Sequence, residues 1–153
     1  MPSVVVDASA IAAVLFSEPS ADEVVERLGS AQLAAPSLLP NEIASVAAGK
    51  VRRGEVPADT AMTALGAFGR MRILLHEPDL PEVFRLTVRT RLTAYDAAYL
   101  HLAQSLSAEL VTLDDKLARV WSRLQGSQRA TRGSRIPAPA LPRAQEDRSW
   151  LRG

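Results

Sequence analysis

The sequence predicts a three-layer α/β/α fold around a central, mostly parallel sheet of four or five strands. Short apolar runs alternate with longer segments of helical spacing, the pattern of strands joined by helical crossovers. The first run, Val4–Val6, is entirely β-branched, as in parallel strands buried on both faces. Right-handed crossovers would place helices on both faces and bring the carboxyl ends of the strands to one edge.

The amino-terminal half predicts two strands and four helices. Ser20 opens the second helix with Glu23 three residues later, the spacing of a capping box. The third helix is expected to stop before Gly54, and Pro57 suits the start of the fourth. The expected spans are a strand at 4–6, helices at 8–16 and 20–28, a strand at 32–35, and helices at 38–52 and 58–71.

The second half continues the alternation. Thr93 is a candidate N-cap for a helix whose apolar positions, from Tyr95 to Leu106, keep helical spacing. The expected spans are a strand at 72–75, a helix opening at Pro81, the helix after Thr93, a strand at 109–112 and a helix at 116–121. The Ala-rich helices at 38–51 and 58–68 could pack in a homodimer or in the core.

Composition restricts the class of protein. A chain of 153 residues that is 47% apolar and 23% charged fits one globular domain with a sizeable core. The absence of Cys excludes disulfides, thiolate zinc sites and cysteine nucleophiles. No signal-peptide pattern and no apolar run of about 20 residues is present, so we expect a cytoplasmic protein without a membrane span.

Charge divides the chain into two parts. Residues 1–122 hold 11 Lys and Arg against 15 Asp and Glu, whereas residues 123–153 hold 7 Arg against 2 acids. The second part is also rich in Pro, Gly and Ser, which favours an extended or disordered segment. We therefore predict a folded domain over 1–122 and a basic tail over 123–153. The tail is either a solvated terminus or a loose electrostatic contact with nucleic acid.

Four carboxylates fall where this fold would bring them together. Asp7 and Asp114 each follow a predicted strand, Asp96 lies in the first turn of a helix, and Glu42 shares the apolar face of another. Taken singly, each acid has a plainer role, because helix capping would explain Asp96 and Asp114 and a salt bridge would explain Glu42. Asp115 is as eligible as Asp114 to cap the last helix, so one would cap while the other faces the cleft.

The chemistry of such a cluster indicates a hard divalent cation. Converging carboxylates would raise their own pKa values unless cations bound there. With no Cys, and with His76 and His101 at other positions, oxygen ligands suit Mg²⁺ or Mn²⁺ rather than zinc.

Four motifs carry a resemblance to a known family. Over about residues 3–122 the chain contains, in this order, VVVDASAIAAVLFSEP, LLPNEIASV, LTAYDAAYLHLA and AELVTLDDKL. Their order and spacing resemble the PIN-domain ribonucleases and, within them, the VapC-type toxins. The resemblance implies that the metal-binding catalytic acids are Asp7, Glu42, Asp96 and Asp114. It also implies that Ser9 and Thr112 support them, although capping or turn roles would suit both hydroxyls as well.

The resemblance implies an Mg²⁺-dependent endoribonuclease, with Mn²⁺ as an alternative cofactor. Water would be the nucleophile, so no protein nucleophile is required. The implied partners are RNA, a VapB-type antitoxin whose carboxyl-terminal segment enters the cleft, and a second copy of the chain. Basic residues expected near the RNA are Lys50, Arg52, Arg53, Arg89 and Arg91.

The chain departs from the family at its end, where a short closing strand would be expected and residues 126–135 are polar and basic instead. A non-catalytic module that uses the acids to bind a basic peptide or RNA is therefore the main alternative. An aspartyl phosphatase would need a second acid where Ser9 stands, and a phosphoacceptor domain would need a lysine after a late strand, whereas Lys116 falls in a helix start.

Overall fold

A four-stranded parallel sheet lies at the centre of the computed structural model, which describes residues 2–131. Helices pack on both faces of the sheet, so the predicted three-layer α/β/α fold is confirmed. In chain order the elements are β1 Ser3–Val6, α1 Ala8–Leu15, α2 Ala21–Leu28, β2 Gln32–Pro36, α3 Leu39–Arg52, α4 Ala58–Arg70, β3 Ile73–His76, α5 Leu80–Thr90, α6 Ala94–Ser105, β4 Glu109–Val111 and α7 Asp115–Thr131.

The strand order, β3-β2-β1-β4, determines where a ligand can lie. All neighbouring strands are parallel, and Val5 of β1 pairs with Ala34 of β2 on one side and Leu110 of β4 on the other. The chain moves from β1 outward to β3 and then returns to the opposite side of β1 as β4. The crossovers therefore change sides between β1 and β4, and a crevice opens beyond the carboxyl ends of these two strands.

The core follows from the two-sided burial of β1. Val5 and Val6 have no exposed surface, because α1 to α4 cover one face of the sheet and α5 to α7 cover the other. Ile11 of α1 and Leu100 of α6 are also fully buried, on opposite sides of the strand. The site at the carboxyl edge therefore rests on a rigid, closely packed base.

Three local predictions can be compared with the structure. Thr93 caps α6 as predicted, accepting a hydrogen bond from the Asp96 amide at 3.2 Å. The predicted capping box at Ser20 is wrong. Ser20 precedes α2 with φ −85° and ψ 0°, and its side chain makes no capping hydrogen bond. An N-cap side chain needs extended backbone to reach the helix amides, which this conformation does not supply. Strand β3 begins one residue later than predicted.

The last helix is longer than the sequence pattern indicated. α7 runs from Asp115 to Thr131, so it continues past the boundary at residue 122 that charge and composition suggested. Residues 132–153, with the rest of the predicted basic tail and its proposed contact with nucleic acid, lie outside the described residues. Within residues 2–131, no helix combines the length and apolar character needed to cross a membrane.

Candidate functional site

All four sequence-predicted acids line one cleft at the carboxyl edge of the sheet. Asp7 lies between β1 and α1, Glu42 and Asp96 lie in the first turns of α3 and α6, and Asp114 lies between β4 and α7. The cleft has a volume of about 570 Å³. Its lining among the described residues contains no Lys, Arg or His; the other lining residues are Ala8, Ser9, Leu38, Asn41, Ser45, Val46, Tyr95 and Tyr99.

Asp7 is the most firmly held of the four. It is only 6% exposed, and its extended backbone makes it the N-cap of α1. Its Oδ1 accepts hydrogen bonds from Ser9 Oγ at 2.7 Å and from the Ala10 amide at 3.0 Å, while Oδ2 accepts one from Thr112 Oγ1. Three donors therefore fix the position of this carboxylate.

Ser9 and Thr112 tie the end of β1 to the end of β4. Besides bonding Asp7, Ser9 Oγ accepts from the Leu113 amide at 2.9 Å, and Thr112 Oγ1 accepts from the Asp114 amide at 3.0 Å. Each hydroxyl thus donates a hydrogen bond to Asp7 and accepts one from a backbone amide that follows β4. Together they fix the distance between the backbones that carry Asp7 and Asp114.

Asp114 both caps a helix and faces the cleft. Its Oδ1 accepts from the Leu117 amide at 2.7 Å, which is the N-cap bond of α7, and the residue is also part of the cleft lining. Asp115 is the first residue of α7 and lies outside that lining. The expected division of roles between the two acids is therefore wrong, because a carboxylate has two oxygens and one suffices for the cap.

Glu42 is held by a single side chain from the opposite face of the sheet. Its Oε2 accepts a hydrogen bond from the Tyr99 hydroxyl at 2.7 Å. Leu39 and Ile43 beside it on α3 are fully buried, so Glu42 projects from an apolar helix face and is itself only half-exposed. Tyr99 is 1% exposed and comes one helical turn after Asp96 on α6.

Burial dominates the electrostatics of this cleft. It raises the pKa of Asp7 and of Glu42, with the neighbouring carboxylates adding to the rise. The hydrogen bonds from Thr112 and Ser9 to Asp7, and from Tyr99 to Glu42, lower each pKa in part. The pKa of Tyr99 is raised for the same reasons, so its phenol stays protonated and remains a donor. The predicted rise from like charge is present but is smaller than the effect of desolvation.

Comparison with known proteins identifies the fold. The family model described as PIN domain matches residues 4–121, which is most of the chain.

The chain belongs to the PIN-domain family.

Similar proteins extend this PIN assignment. Ribonuclease VapC3 of Pyrobaculum aerophilum is 34% identical over 119 residues, which cover 74% of this chain and 91% of the relative. Ribonuclease VapC9 of Mycobacterium tuberculosis is 33% identical over 116 residues, covering 75% and 88%. The crystal structure of PAE2754 from Pyrobaculum aerophilum superposes with a TM-score of 0.61 at 28% identity, over 82% of this chain and 96% of that one. The resemblance to VapC-type PIN proteins is confirmed.

The donor chemistry of the PIN cleft fits a divalent cation. The polar side-chain atoms of the four acids, Ser9 and Tyr99 are all oxygens. Mg²⁺ and Mn²⁺ prefer such hard oxygen ligands. A cation would also offset the cost of burying ionised Asp7 without a basic partner. Among the described residues no three acidic or histidine side chains are already close enough to hold one ion. Mg²⁺ usually keeps several of its waters and binds proteins through one or two carboxylates, so this spacing is compatible with a bound ion.

The predicted RNA-binding residues of the PIN domain fall into two groups. Lys50 forms ion pairs with Glu18 at 2.7 Å and Glu55 at 3.4 Å, and Arg53 pairs with Glu55 at 2.5 Å. Lys50 also follows Glu42 by eight residues on α3, which places it about 12 Å along the helix. These contacts explain both residues as parts of a surface ion-pair network.

Arg91 lies at the junction of α5 and α6. It ends α5 in a left-handed conformation, and its carbonyl accepts a hydrogen bond from Lys116 Nζ at 3.4 Å. This bond brings the two basic residues together beside the helix starts that carry Asp96 and Asp114. Arg52 and Arg89 are exposed.

Sequence reasoning overlooked two features of the PIN site. The periodic pattern of α6 identifies Tyr99 only as one of its apolar positions. Tyr99 also lies one helical turn after Asp96, on the same face of the helix. That spacing was the available signal: a tyrosine one turn after a site acid brings a hydroxyl to the same cleft. Asn41 and Ser45, both exposed on α3, also line the cleft and carried no pattern of their own.

Proposed function

We propose that this PIN domain is a metal-dependent endoribonuclease that acts as the toxin of a VapBC-type toxin–antitoxin pair. The observation that carries the proposal is the meeting of Asp7, Glu42, Asp96 and Asp114 in one cleft, to whose lining the described part of the chain contributes no basic residue. The naming of its relatives as VapC ribonucleases at 33–34% identity supports the same activity.

The four acids are the proposed ligands for Mg²⁺, with Mn²⁺ as an alternative. Asp7 stands at the centre because two strands and two hydroxyls fix it. A bound cation would supply a Lewis acid that stabilises the negative charge growing on the phosphodiester oxygens during hydrolysis. The convergence of four separately anchored chain segments supports this assignment, since no other described feature explains why a buried acid lacks a basic partner.

The chain's own residues leave water as the proposed nucleophile. Ser9 and Thr112 each donate a hydrogen bond to Asp7 and accept one from a backbone amide, which gives both hydroxyls a structural role, and a metal-bound water requires no protein nucleophile. No Cys is present in the sequence. Arg91 and Lys116, near the starts of α6 and α7, are the proposed phosphate contacts, because their charge would attract an RNA backbone toward the neighbouring Asp96 and Asp114.

The charge of the cleft also favours a basic partner. A site with four carboxylates and, within residues 2–131, no basic lining residue is complementary to an Arg- or Lys-containing peptide, as the proposed VapB-type antitoxin would supply in the cytoplasm. A peptide cation on the acids would compete with both metal and RNA. The same complementarity would serve the non-catalytic alternative, in which the cleft binds a basic segment without hydrolysis.

A homodimer is the proposed assembly, and we propose α5 as its contact, rather than the Ala-rich helices for which the sequence left a dimer contact or a core position open. On α3 and α4 the buried Ala47, Ala61 and Ala64 are part of the core. The exposed apolar side chains on α5 instead form a stripe at every fourth position: Leu80, Phe84 and Val88, exposed by 71%, 68% and 66%. Exposed apolar side chains on one helix face are candidates for a protein–protein contact.

The test is RNA cleavage by the full chain with Mg²⁺ or Mn²⁺ and with EDTA. Cleavage should require the metal and should fall at least about 100-fold in Asp7→Asn, because a lost ligand removes several kcal/mol of charge stabilisation. Glu23→Gln, which changes an exposed acid of α2, should cleave as the wild type does. Absence of cleavage under any metal, with binding to a basic antitoxin peptide retained, would refute the enzyme and support the binding module.

A further inference from the structure

Tyr99 is a polar side chain in the interior of the fold. It is the largest of the fully buried side chains among the described residues, and its hydroxyl donates to Glu42 Oε2 at 2.7 Å. The bond joins residues 57 positions apart, on helices that lie on opposite faces of the sheet. Packing alone would be satisfied by Phe, so the hydroxyl calls for an explanation of its own.

The cleft acids differ in how firmly the protein holds them. Asp7 accepts three hydrogen bonds, and Asp114 is fixed by the Leu117 amide. For the Glu42 carboxylate, the Tyr99 hydroxyl is the one hydrogen-bond donor that residues 2–131 provide. Glutamate has one more rotatable bond than aspartate and so loses more conformational freedom when it is fixed. Its geometry depends on a single anchor.

The anchor also couples two acids through one helix. Asp96 and Tyr99 are three residues apart on α6, so their side chains lie on the same face and reach the same cleft. α6 therefore contributes one carboxylate directly and holds a second, from α3, through the phenol. With Oε2 bonded to Tyr99, Oε1 of Glu42 is left for a ligand in the cleft.

We propose that Tyr99 is a positioning residue that fixes the Glu42 carboxylate for divalent-cation binding, so that the cation affinity of the cleft depends on the Tyr99 hydroxyl. This inference rests on the proposed metal-dependent function. In this proposal Tyr99 does not contact the substrate and acts only through Glu42.

The experiment is calorimetric titration of the full chain with MnCl₂ in the absence of RNA. Tyr99→Phe keeps the ring that fills the core and removes only the hydroxyl, and it should weaken Mn²⁺ binding about 10- to 100-fold, the usual cost of losing a residue that orients a ligand. Tyr95→Phe is the matched control, since Tyr95 lines the same cleft from the same helix but is 62% exposed. It should bind Mn²⁺ as the wild type does.

A double-mutant cycle separates positioning from general damage to the fold. If Tyr99 acts through Glu42, adding Tyr99→Phe to Glu42→Gln should cause no further loss of Mn²⁺ affinity. Wild-type affinity in Tyr99→Phe, or an equal loss in both backgrounds, would overturn the inference and leave the proposed function intact. A wild-type chain that gives no heat with Mn²⁺ would overturn both, and thermal unfolding of each variant verifies that it is folded.

Discussion

Asp7 combines two tasks that usually belong to different residues. One oxygen caps α1 and the other accepts the Thr112 hydroxyl, while the carboxylate as a whole faces the cleft. Burial raises its pKa, so the charged form is costly in the protein without a cation. A divalent ion bound by Asp7, as proposed, would remove this cost.

This cost predicts a pH dependence for the metal-free protein. Because the folded-state pKa of Asp7 is raised, the folded chain holds its proton more tightly than the unfolded chain does. The resulting stability is present below about pH 4 and is lost as pH rises through the folded value. In urea titrations with EDTA, the free energy of unfolding of the wild type should fall relative to Asp7→Asn between pH 4 and pH 8. Parallel profiles for the two proteins would contradict a raised folded-state pKa for Asp7.

The start of α7 combines a helix cap with a proposed metal-binding acid in one residue, Asp114. Asp114→Ala removes the N-cap bond to Leu117 and a cleft acid together, so it should cost about 1 kcal/mol of stability and most of the cleavage rate. Asp115→Ala, one residue later and outside the cleft lining, should change both only slightly. Thermal unfolding and RNA cleavage measured on both variants test this. The reverse ranking would place the functional acid at 115.

The exposed stripe of α5 predicts the assembly. Phe84→Glu puts a charge in the middle of the apolar face formed with Leu80 and Val88, so it should convert a dimer into a monomer. Val25→Glu, at a 53% exposed position on α2, is the control and should leave the dimer unchanged. Sedimentation velocity over a range of protein concentrations distinguishes the outcomes. A wild-type chain that is monomeric at all of them would refute the proposed interface.

Most elements could be predicted from sequence because their patterns are local. Val4–Val6 can only be a buried strand, and Thr93 has both the residue type and the position of an N-cap. Ser20 shows the limit: its spacing to Glu23 suits a capping box, but the turn before α2 holds its backbone in the wrong conformation. The length of α7 was also missed, since polar helical residues give no periodic apolar signal.

The four acids of the candidate site could be predicted from the sequence, but the hydrogen bonds that hold them could not, because those bonds depend on the fold of the whole molecule. The parallel topology brings residues 7, 42, 96 and 114 to one edge, and the order of motifs indicated all four. The hydrogen bonds among Ser9, Thr112 and Asp7 depend on β1 and β4 being neighbours, which no local pattern reveals. The Tyr99–Glu42 bond likewise requires two helices from opposite faces to meet.

The proposed division into a folded domain and a basic tail gives a prediction for the whole chain. Residues 132–153 carry five Arg and two acids, whereas all four cleft acids precede them. A chain ending at Thr131 should bind Mn²⁺ as the full chain does, and its RNA affinity should depend less steeply on salt, because fewer phosphates are neutralised. Filter binding over a salt series, with calorimetry for the cation, measures both. Loss of cation binding on truncation would show that the tail belongs to the site.

We propose that four carboxylates from separate parts of the chain bind one divalent centre. Crystals of the full chain soaked in MnCl₂, with anomalous diffraction recorded for manganese, would locate the ion. We expect an anomalous peak in the cleft, within coordinating distance of Asp7 and at least two of the other three acids. No peak there, or manganese bound only elsewhere on the surface, would contradict it.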